Sequence, residues 1–127
     1  MAGKHVLLIE DEPHIAEAIR FILSRAGWQV TLHNDGQDAI GVIASAQPDV
    51  LILDLMLPGR SGLEILADLR SGNGGQKALP VLMLTARGQL RDREAAERAG
   101  ASAFLAKPFA NADVLAAVRT LAGEEAG

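Results

Sequence analysis

Four stretches of this sequence carry residues that could do chemistry together, although they lie far apart in the chain: Glu10-Asp11-Glu12, Asp54, Thr85, and Lys107 followed by Pro108. Each directly follows an apolar or weakly apolar run, namely Val6 to Ile9, Val50 to Leu53, Val81 to Leu84 and Ala103 to Ala106. If Glu10, Asp11 and Asp54 meet, carboxylates about 4 to 5 Å apart repel by roughly 3 to 4 kcal/mol per pair at an effective dielectric of about 20. Either one of them is protonated or a divalent cation binds among them. An all-oxygen, partly hydrated site suits Mg²⁺ best, with Mn²⁺ or Ca²⁺ as alternatives. A cation alone does not account for Lys107 and Thr85. An ammonium beside a cation site implies a visiting anion, and a phosphoryl group fits: the cation would hold one oxygen, Lys107 another and the Thr85 hydroxyl a third. Asp54 is the natural nucleophile, because an aspartate is ionised at neutral pH and needs no general base. In-line attack on phosphorus then requires mainly positioning and charge neutralisation, and yields an acyl phosphate.

Elements that could assemble these groups are legible in the hydrophobic pattern. The three stronger runs are short, branched and nearly continuous, as expected of strands buried on both faces of a parallel sheet. Val30 to His33 and Ala103 to Ala106 read as two further strands. Between them lie helical stripes. Ile15, Ile19, Ile22, Leu23 and Ala26 form the first, with Pro13 in its opening turn and Gly27 beyond its end. Ala39, Ile40, Ile43 and Ala44 form the second, entered through Asp35-Gly36. Ser61 and Glu64 make a capping box ahead of Leu66 and Leu69. Arg91 to Ala99 reads as a short helix closed by Gly100, and Val114, Leu115, Val118 and Leu121 form the last stripe, with Asn111 as its expected cap. Strand–helix alternation repeated five times implies an α/β fold with right-handed crossovers and helices on both faces. Ligands in such sheets bind at the carboxyl ends of the strands. The second strand ends in nothing comparable to the other four, which places it at the sheet border.

The 127 residues suit one domain spanning 1–127, with 123–127 a frayed tail or the start of a linker and Ser71-Gly72-Asn73-Gly74-Gly75 a flexible internal loop. Cysteine is absent, which excludes disulfides and thiolate metal sites and suits a cytoplasmic location. The net charge of −4, with Lys and Arg scattered among acids, argues against nucleic acid as a direct partner. No apolar run reaches the roughly 18 residues of a membrane span, and no basic amphipathic helix points to a membrane surface.

Taken in order, Val6-Leu-Leu-Ile-Glu10-Asp11-Glu12, Leu53-Asp54-Leu-Met-Leu-Pro58-Gly-Arg-Ser-Gly62, Leu84-Thr85-Ala86 and Leu105-Ala106-Lys107-Pro108-Phe109 resemble the receiver domain of bacterial two-component response regulators, of the stand-alone or single-domain type. The resemblance covers nearly the whole chain. It implies a flavodoxin-like (βα)5 fold with five parallel strands in the order 2-1-3-4-5. It implies that Asp54 accepts a phosphoryl group from a phospho-histidine of a sensor kinase or phosphotransfer protein. It also implies that Asp11, Asp54 and the Met56 backbone carbonyl ligate Mg²⁺, or Mn²⁺, with Glu10 acting through water. Lys107 would contact the phosphoryl group, and the Lys107–Pro108 bond would be cis. Thr85 and Phe104 would form a switch that alters the face of the fourth helix, fifth strand and fifth helix for a downstream protein. Several positions depart from the family's common pattern. Glu10 stands where Asp is frequent, and Phe104 lacks a tyrosine hydroxyl. Met56 and Arg87 occupy positions that tune phosphate lifetime. Ser102-Ala103-Phe104 replaces the acidic pair and tyrosine of winged-helix regulators, which argues against that class's dimer interface.

Blander readings stand beside these. Asp11 could simply cap the first helix, with Glu12-Pro13 opening it. Thr85 and Lys107 taken singly are an ordinary strand residue and an ordinary surface lysine. Asp54 is harder to dismiss, because a charge inside Val50-Leu-Ile-Leu-Asp54-Leu-Met-Leu57 needs partners. His5, His14 and His33 read as surface residues. Two rival functions are a phosphate-independent receiver-like scaffold and a flavodoxin-like cofactor binder. The second would need a Ser/Thr/Gly-rich phosphate loop where Glu10-Asp11-Glu12 stands, and no dinucleotide fingerprint or Walker lysine loop is present.

Overall fold

A computed structural model describes residues 4–72, 75, 77–86 and 90–123. Arg87, parts of the 71–75 loop and the last four residues lie outside the described residues. Strands β1 (His5–Ile9), β2 (Gln29–His33), β3 (Val50–Asp54), β4 (Val81–Ala86) and β5 (Ala103–Lys107) alternate with helices α1 (Pro13–Arg25), α2 (Ala39–Ala46), α3 (Gly62–Arg70), α4 (Leu90–Ala99) and α5 (Asn111–Leu121). The strands form one parallel sheet in the order β2-β1-β3-β4-β5, the flavodoxin-like arrangement expected from sequence.

Side-chain alternation splits the core into two layers. Leu7, Ile9, Leu51, Leu53, Val81 and Met83 pack with Ile43, Ile65, Leu66, Leu69 and Ala96 of α2, α3 and α4. Val6, Leu8, Val50, Ile52, Leu82 and Leu84 pack with Ile19, Leu23, Val114 and Val118 of α1 and α5. The apolar residues of β1 and β3 and of β4 as far as Leu84 are buried, which is why those runs are continuous rather than alternating. Strand β2 is the border strand anticipated from its lack of a functional terminus, and its residues are exposed or half-buried.

Local signals explain most helix ends. Pro13 opens α1, and Gly27, at φ 97°, closes it. Ser61 and Glu64 satisfy each other's backbone amides across the first turn of α3, at 3.2 and 3.3 Å. Gly100, at φ 103°, follows α4. Arg70 in the last turn of α3 donates to the carbonyls of Gly100 and Leu79, at 2.9 and 2.6 Å, tying the end of α4 to the start of β4.

Four local expectations are corrected. Asp11 does not cap α1. The cap is Glu12, whose side chain accepts the His14 amide at 2.8 Å, and Asp11 stays clear of that role. Ala110, not Asn111, caps α5; its extended backbone lets its carbonyl accept the Asp113 amide at 3.0 Å, so Asn111 is already helical. Helix α2 is not entered through Asp35-Gly36. Those residues form a separate turn closed by Asp35 Oδ1 on the Gln37 amide at 2.9 Å, and α2 starts after Asp38 at φ 59°. Helix α4 begins one residue earlier than expected, at Leu90.

Ile52 is fully buried in the central strand, between α1 and α5. Truncation to alanine there is expected to cost about 2–5 kcal/mol through lost contacts and a residual cavity, read as a lower denaturation midpoint with an unchanged m-value in urea.

Candidate functional site

The C-terminal edge of the sheet gathers the residues singled out by type and spacing. Glu10 continues the alternation of Val6 and Leu8, Asp54 that of Val50 and Ile52, and Lys107 that of Ala103 and Leu105. All three therefore project on the α1/α5 side of the sheet. Lys107 reaches from border strand β5 across β4 to place its Nζ 2.9 Å from Asp54 Oδ2 and 3.2 Å from Glu10 Oε1. The other oxygens of these acids face backbone donors: the Met56 amide donates to Asp54 Oδ1 at 3.2 Å, and the Glu12 amide to Glu10 Oε2 at 3.0 Å. Asp11 is exposed. It contributes a carboxylate oxygen to a cluster in which one oxygen each from Glu10, Asp11 and Asp54 lie within 4.8 Å of one another.

Burial makes this cluster electrostatically unusual. Glu10 and Asp54 are both 2% exposed. Glu10 Oε1 is buried without a hydrogen bond, because its approach to Lys107 Nζ has ion-pair distance but not hydrogen-bonding direction. Burial raises the Glu10 pKa from 4.5 to about 7; the Glu12 amide works against the rise, while Asp54 adds to it. Burial on its own would lower the Lys107 pKa. The hydrogen bond and charge of Asp54, with the charge of Glu10, outweigh it, so Lys107 titrates above its ordinary value and remains an ammonium.

These residues fit a divalent cation. Among the described residues three carboxylates oppose one ammonium, the donors are all oxygen, and one buried carboxylate oxygen has no hydrogen-bonding partner. The backbone carbonyl of Met56 lies on the same loop as the amide that holds Asp54, and the Met56 side chain is 69% exposed.

Thr85 and Phe104 occupy the opposite face. Thr85 continues the alternation of Val81 and Met83, and Phe104 pairs with Met83 in register. Thr85 is fully buried and its hydroxyl is 3.5 Å from the Leu105 carbonyl, a weak contact. Phe104 is half-buried with the Arg93 guanidinium 4.3 Å from its ring centroid, a cation–π arrangement. Sequence reading missed Arg93, since α4 shows only mixed charge there. It named Gly62 as part of a motif but not the reason for it: a Cβ there would collide with the Asp54 carbonyl oxygen. The Lys107–Pro108 bond is cis. Of the histidines, His14 is exposed, whereas His5 and His33 are half-buried and bonded to Thr31 Oγ1 at 2.7 Å and the Gln37 carbonyl at 2.9 Å.

The model of the response regulator receiver domain matches residues 6–119. The chain belongs to that family. The response regulator MprA of Mycobacterium tuberculosis (strain ATCC 25618 / H37Rv) is 43% identical over 116 residues, covering 91% of this chain and 49% of MprA. MprA of Mycobacterium avium (strain 104) is 42% identical over the same length, covering 91% and 50%. This receiver chain thus spans about half the length of such relatives. Among solved structures, the receiver domain of the sensor histidine kinase PA1611 from Pseudomonas aeruginosa PAO1, with a magnesium ion coordinated in its active-site cleft, superposes with a TM-score of 0.85 at 32% identity, covering 97% of this chain and all of that one. The chemotaxis response regulator CheY4 of Vibrio cholerae superposes at 0.86 with 28% identity, covering 94% and 99%.

Because the folded receiver holds the Glu10 proton more tightly than the unfolded chain, this group's contribution to stability falls as pH rises from 4.5 to about 7 and stays low above that. Without divalent cation, Glu10→Gln is therefore expected to raise the melting temperature by several degrees at pH 8. The gain should shrink as the pH is lowered through that window, measured by calorimetry in a chelating buffer.

Proposed function

We propose that this receiver accepts a phosphoryl group on Asp54 from a phospho-histidine of a sensor kinase or histidine phosphotransfer protein. The observation that carries the reading is the Lys107 ammonium 2.9 Å from Asp54 within a buried, under-compensated acidic cluster. Asp54 is the nucleophile: an O–P bond forms to its carboxylate as the donor's P–N bond breaks and the imidazole leaves with the bonding pair. Lys107 stands beside the reacting oxygen and meets the phosphoryl charge without prior reorganisation. Asp11, Asp54 and the Met56 carbonyl would hold Mg²⁺, or Mn²⁺, with Glu10 acting through water. When bound, the cation supplies positive charge to the phosphoryl oxygens.

Downstream signalling would follow from Thr85. Among the described residues its hydroxyl has only the weak Leu105 contact to give up, so a phosphoryl oxygen can draw it toward Asp54. Phe104 would then turn into the space left on the α4 side, changing the α4–β5–α5 face presented to a downstream protein. Moving such an equilibrium from 1% to 99% requires roughly 5.5 kcal/mol of preference for one state, which new charge-assisted bonds from Lys107 and Thr85 would provide. No helix among the described residues is long and apolar enough to cross a membrane.

The donor would approach along a groove of about 510 Å³ between α1 and the β5–α5 loop, lined by Ile15, Ala18, Pro108, Phe109 and Lys107 itself. This groove presents an apolar surface continuous with Lys107. Incubation with acetyl phosphate and Mg²⁺ is expected to give an acid-stable, alkali-labile label that Asp54→Asn lacks; label persisting in that variant would refute the assignment. Ala18→Glu should leave labelling by acetyl phosphate unchanged but slow transfer from a phospho-histidine protein at least ten-fold, by placing charge in the groove.

A further inference from the structure

The loop after Asp54, residues 55–61, carries Met56, whose amide holds the Asp54 carboxylate. Its two ends are anchored by strand and helix: the Leu55 amide donates to Leu84, and the Gly62 amide to the Leu55 carbonyl, both at 2.9 Å. The middle of the loop rests on the turn at 35–37. The Gly36 amide donates to the Pro58 carbonyl at 2.8 Å. A Cβ at Gly36 would overlap the Arg60 carbonyl oxygen and lie 2.8 Å from its carbon. The backbone of Gly36 is not left-handed, so glycine is required there by the closeness of the two chains alone. On the facing side, a Cβ at Gly59 would lie 2.6 Å from Gln37 Cγ. At Gly36 backbone therefore meets backbone, whereas Gly59 is opposed by the Gln37 side chain.

The turn is itself held firmly. Asp35 Oδ1 accepts the Gln37 amide at 2.9 Å, and His33 Nε2 lies 2.9 Å from the Gln37 carbonyl. The carbonyl of the same His33 accepts the Glu10 amide at 3.0 Å. The turn thus connects the backbone at Glu10 with the loop that follows Asp54, bridging two parts of the acidic cluster from outside it.

We propose that Gly36 is a positioning residue for phosphoryl acceptance: the 35–37 turn holds the 55–61 loop, and with it Met56, at the distance from Asp54 that cation binding and attack require. This rests on the reading of Asp54 as phospho-acceptor. A side chain at position 36 pushes the loop away from the turn. Asp54 stays in place because β3 is fixed by its pairing with β4, whereas Met56 moves with the loop.

The test compares Gly36→Ala with Asp35→Ala, which loosens the turn without inserting an atom, and with Gly41→Ala, a site on α2 with open space around it. Three quantities are read in each full chain: Mn²⁺ affinity by electron paramagnetic resonance, amide hydrogen exchange resolved by segment, and the rate of labelling by acetyl phosphate. Gly36→Ala is expected to weaken Mn²⁺ about ten-fold and to speed exchange at 55–60 while residues 6–11 and α1 keep their protection. Its labelling rate should fall roughly ten- to a hundred-fold. Asp35→Ala should change the same segment less, and Gly41→Ala should match the parent. Unchanged Mn²⁺ affinity and exchange at 55–60 in Gly36→Ala would overturn the proposal. So would loss of protection spread evenly over all strands, which would mark a merely structural role. If Gly36→Ala does not fold, the same outcomes in Asp35→Ala decide. Absence of label in the parent protein would defeat the phospho-acceptor reading, while the metal and exchange measurements would still decide the role of Gly36.

Discussion

The rest of the structure depends on confining three carboxylates with one ammonium at the end of a buried sheet. Like charges at such separations resist assembly by a few kcal/mol per pair. Total stabilities of domains this size are only about 5–15 kcal/mol. Lys107 offsets part of the repulsion through its contacts with Asp54 and Glu10, and protonation of Glu10 offsets more. What remains favours any ligand that brings positive charge. The site is stable enough to form and still under-compensated enough to bind.

The geometry that achieves this is a property of parallel sheets. Strands that all run one way deliver all their carboxyl ends to one edge, so residues separated by nearly a hundred positions meet there. Order matters as much as direction. With β1 and β3 adjacent at the centre, Glu10 and Asp54 approach closely, and β5, two strands away from β3, needs a long side chain to reach them. Lysine supplies that reach. Rigidity comes from the apolar runs beneath, whose burial on both faces leaves the carboxylates little freedom to move apart.

Much of this was legible from the order of residues, for identifiable reasons. Continuous apolar runs of β1, β3 and β4 announce burial on both faces, and the polar residue after each run announces the edge. Border placement of β2 followed from what it lacks. Capping chemistry located α3 through Ser61 and Glu64, which satisfy each other locally. Where tertiary contact overrides local preference, the reading failed. Asp35-Gly36 looks like a helix entry but is a turn seated on residues 58–60, and no local pattern reveals a neighbour more than twenty positions away. Asn111 is a good cap by type, yet the chain bends one residue earlier. Arg93 over Phe104 depends on α4 lying across β5, which hydrophobic spacing in so polar a helix does not specify.

Sheet parity imposes a last constraint on how such a site could signal. Glu10, Asp54 and Lys107 project toward α1 and α5, whereas Thr85 and Phe104 belong to the face covered by α3 and α4. A charge added to Asp54 therefore lies on one side of the sheet, and the aromatic residue expected to respond lies on the other. A response of the proposed kind would cross where the sheet ends, because a packed sheet interior transmits little displacement through its plane. Thr85 is placed for this: it is the penultimate residue of β4, it sits on the far face, and its pairing partner in β5 is the small Ala106, flanked by Leu105 and Lys107. In the proposed switch the Phe104 ring turns toward Thr85, and a larger residue at 106 would stand beside that path. Alanine there is small, and the Arg93 guanidinium, 4.3 Å from the ring centroid, is a contact that the proposed turn of Phe104 would break.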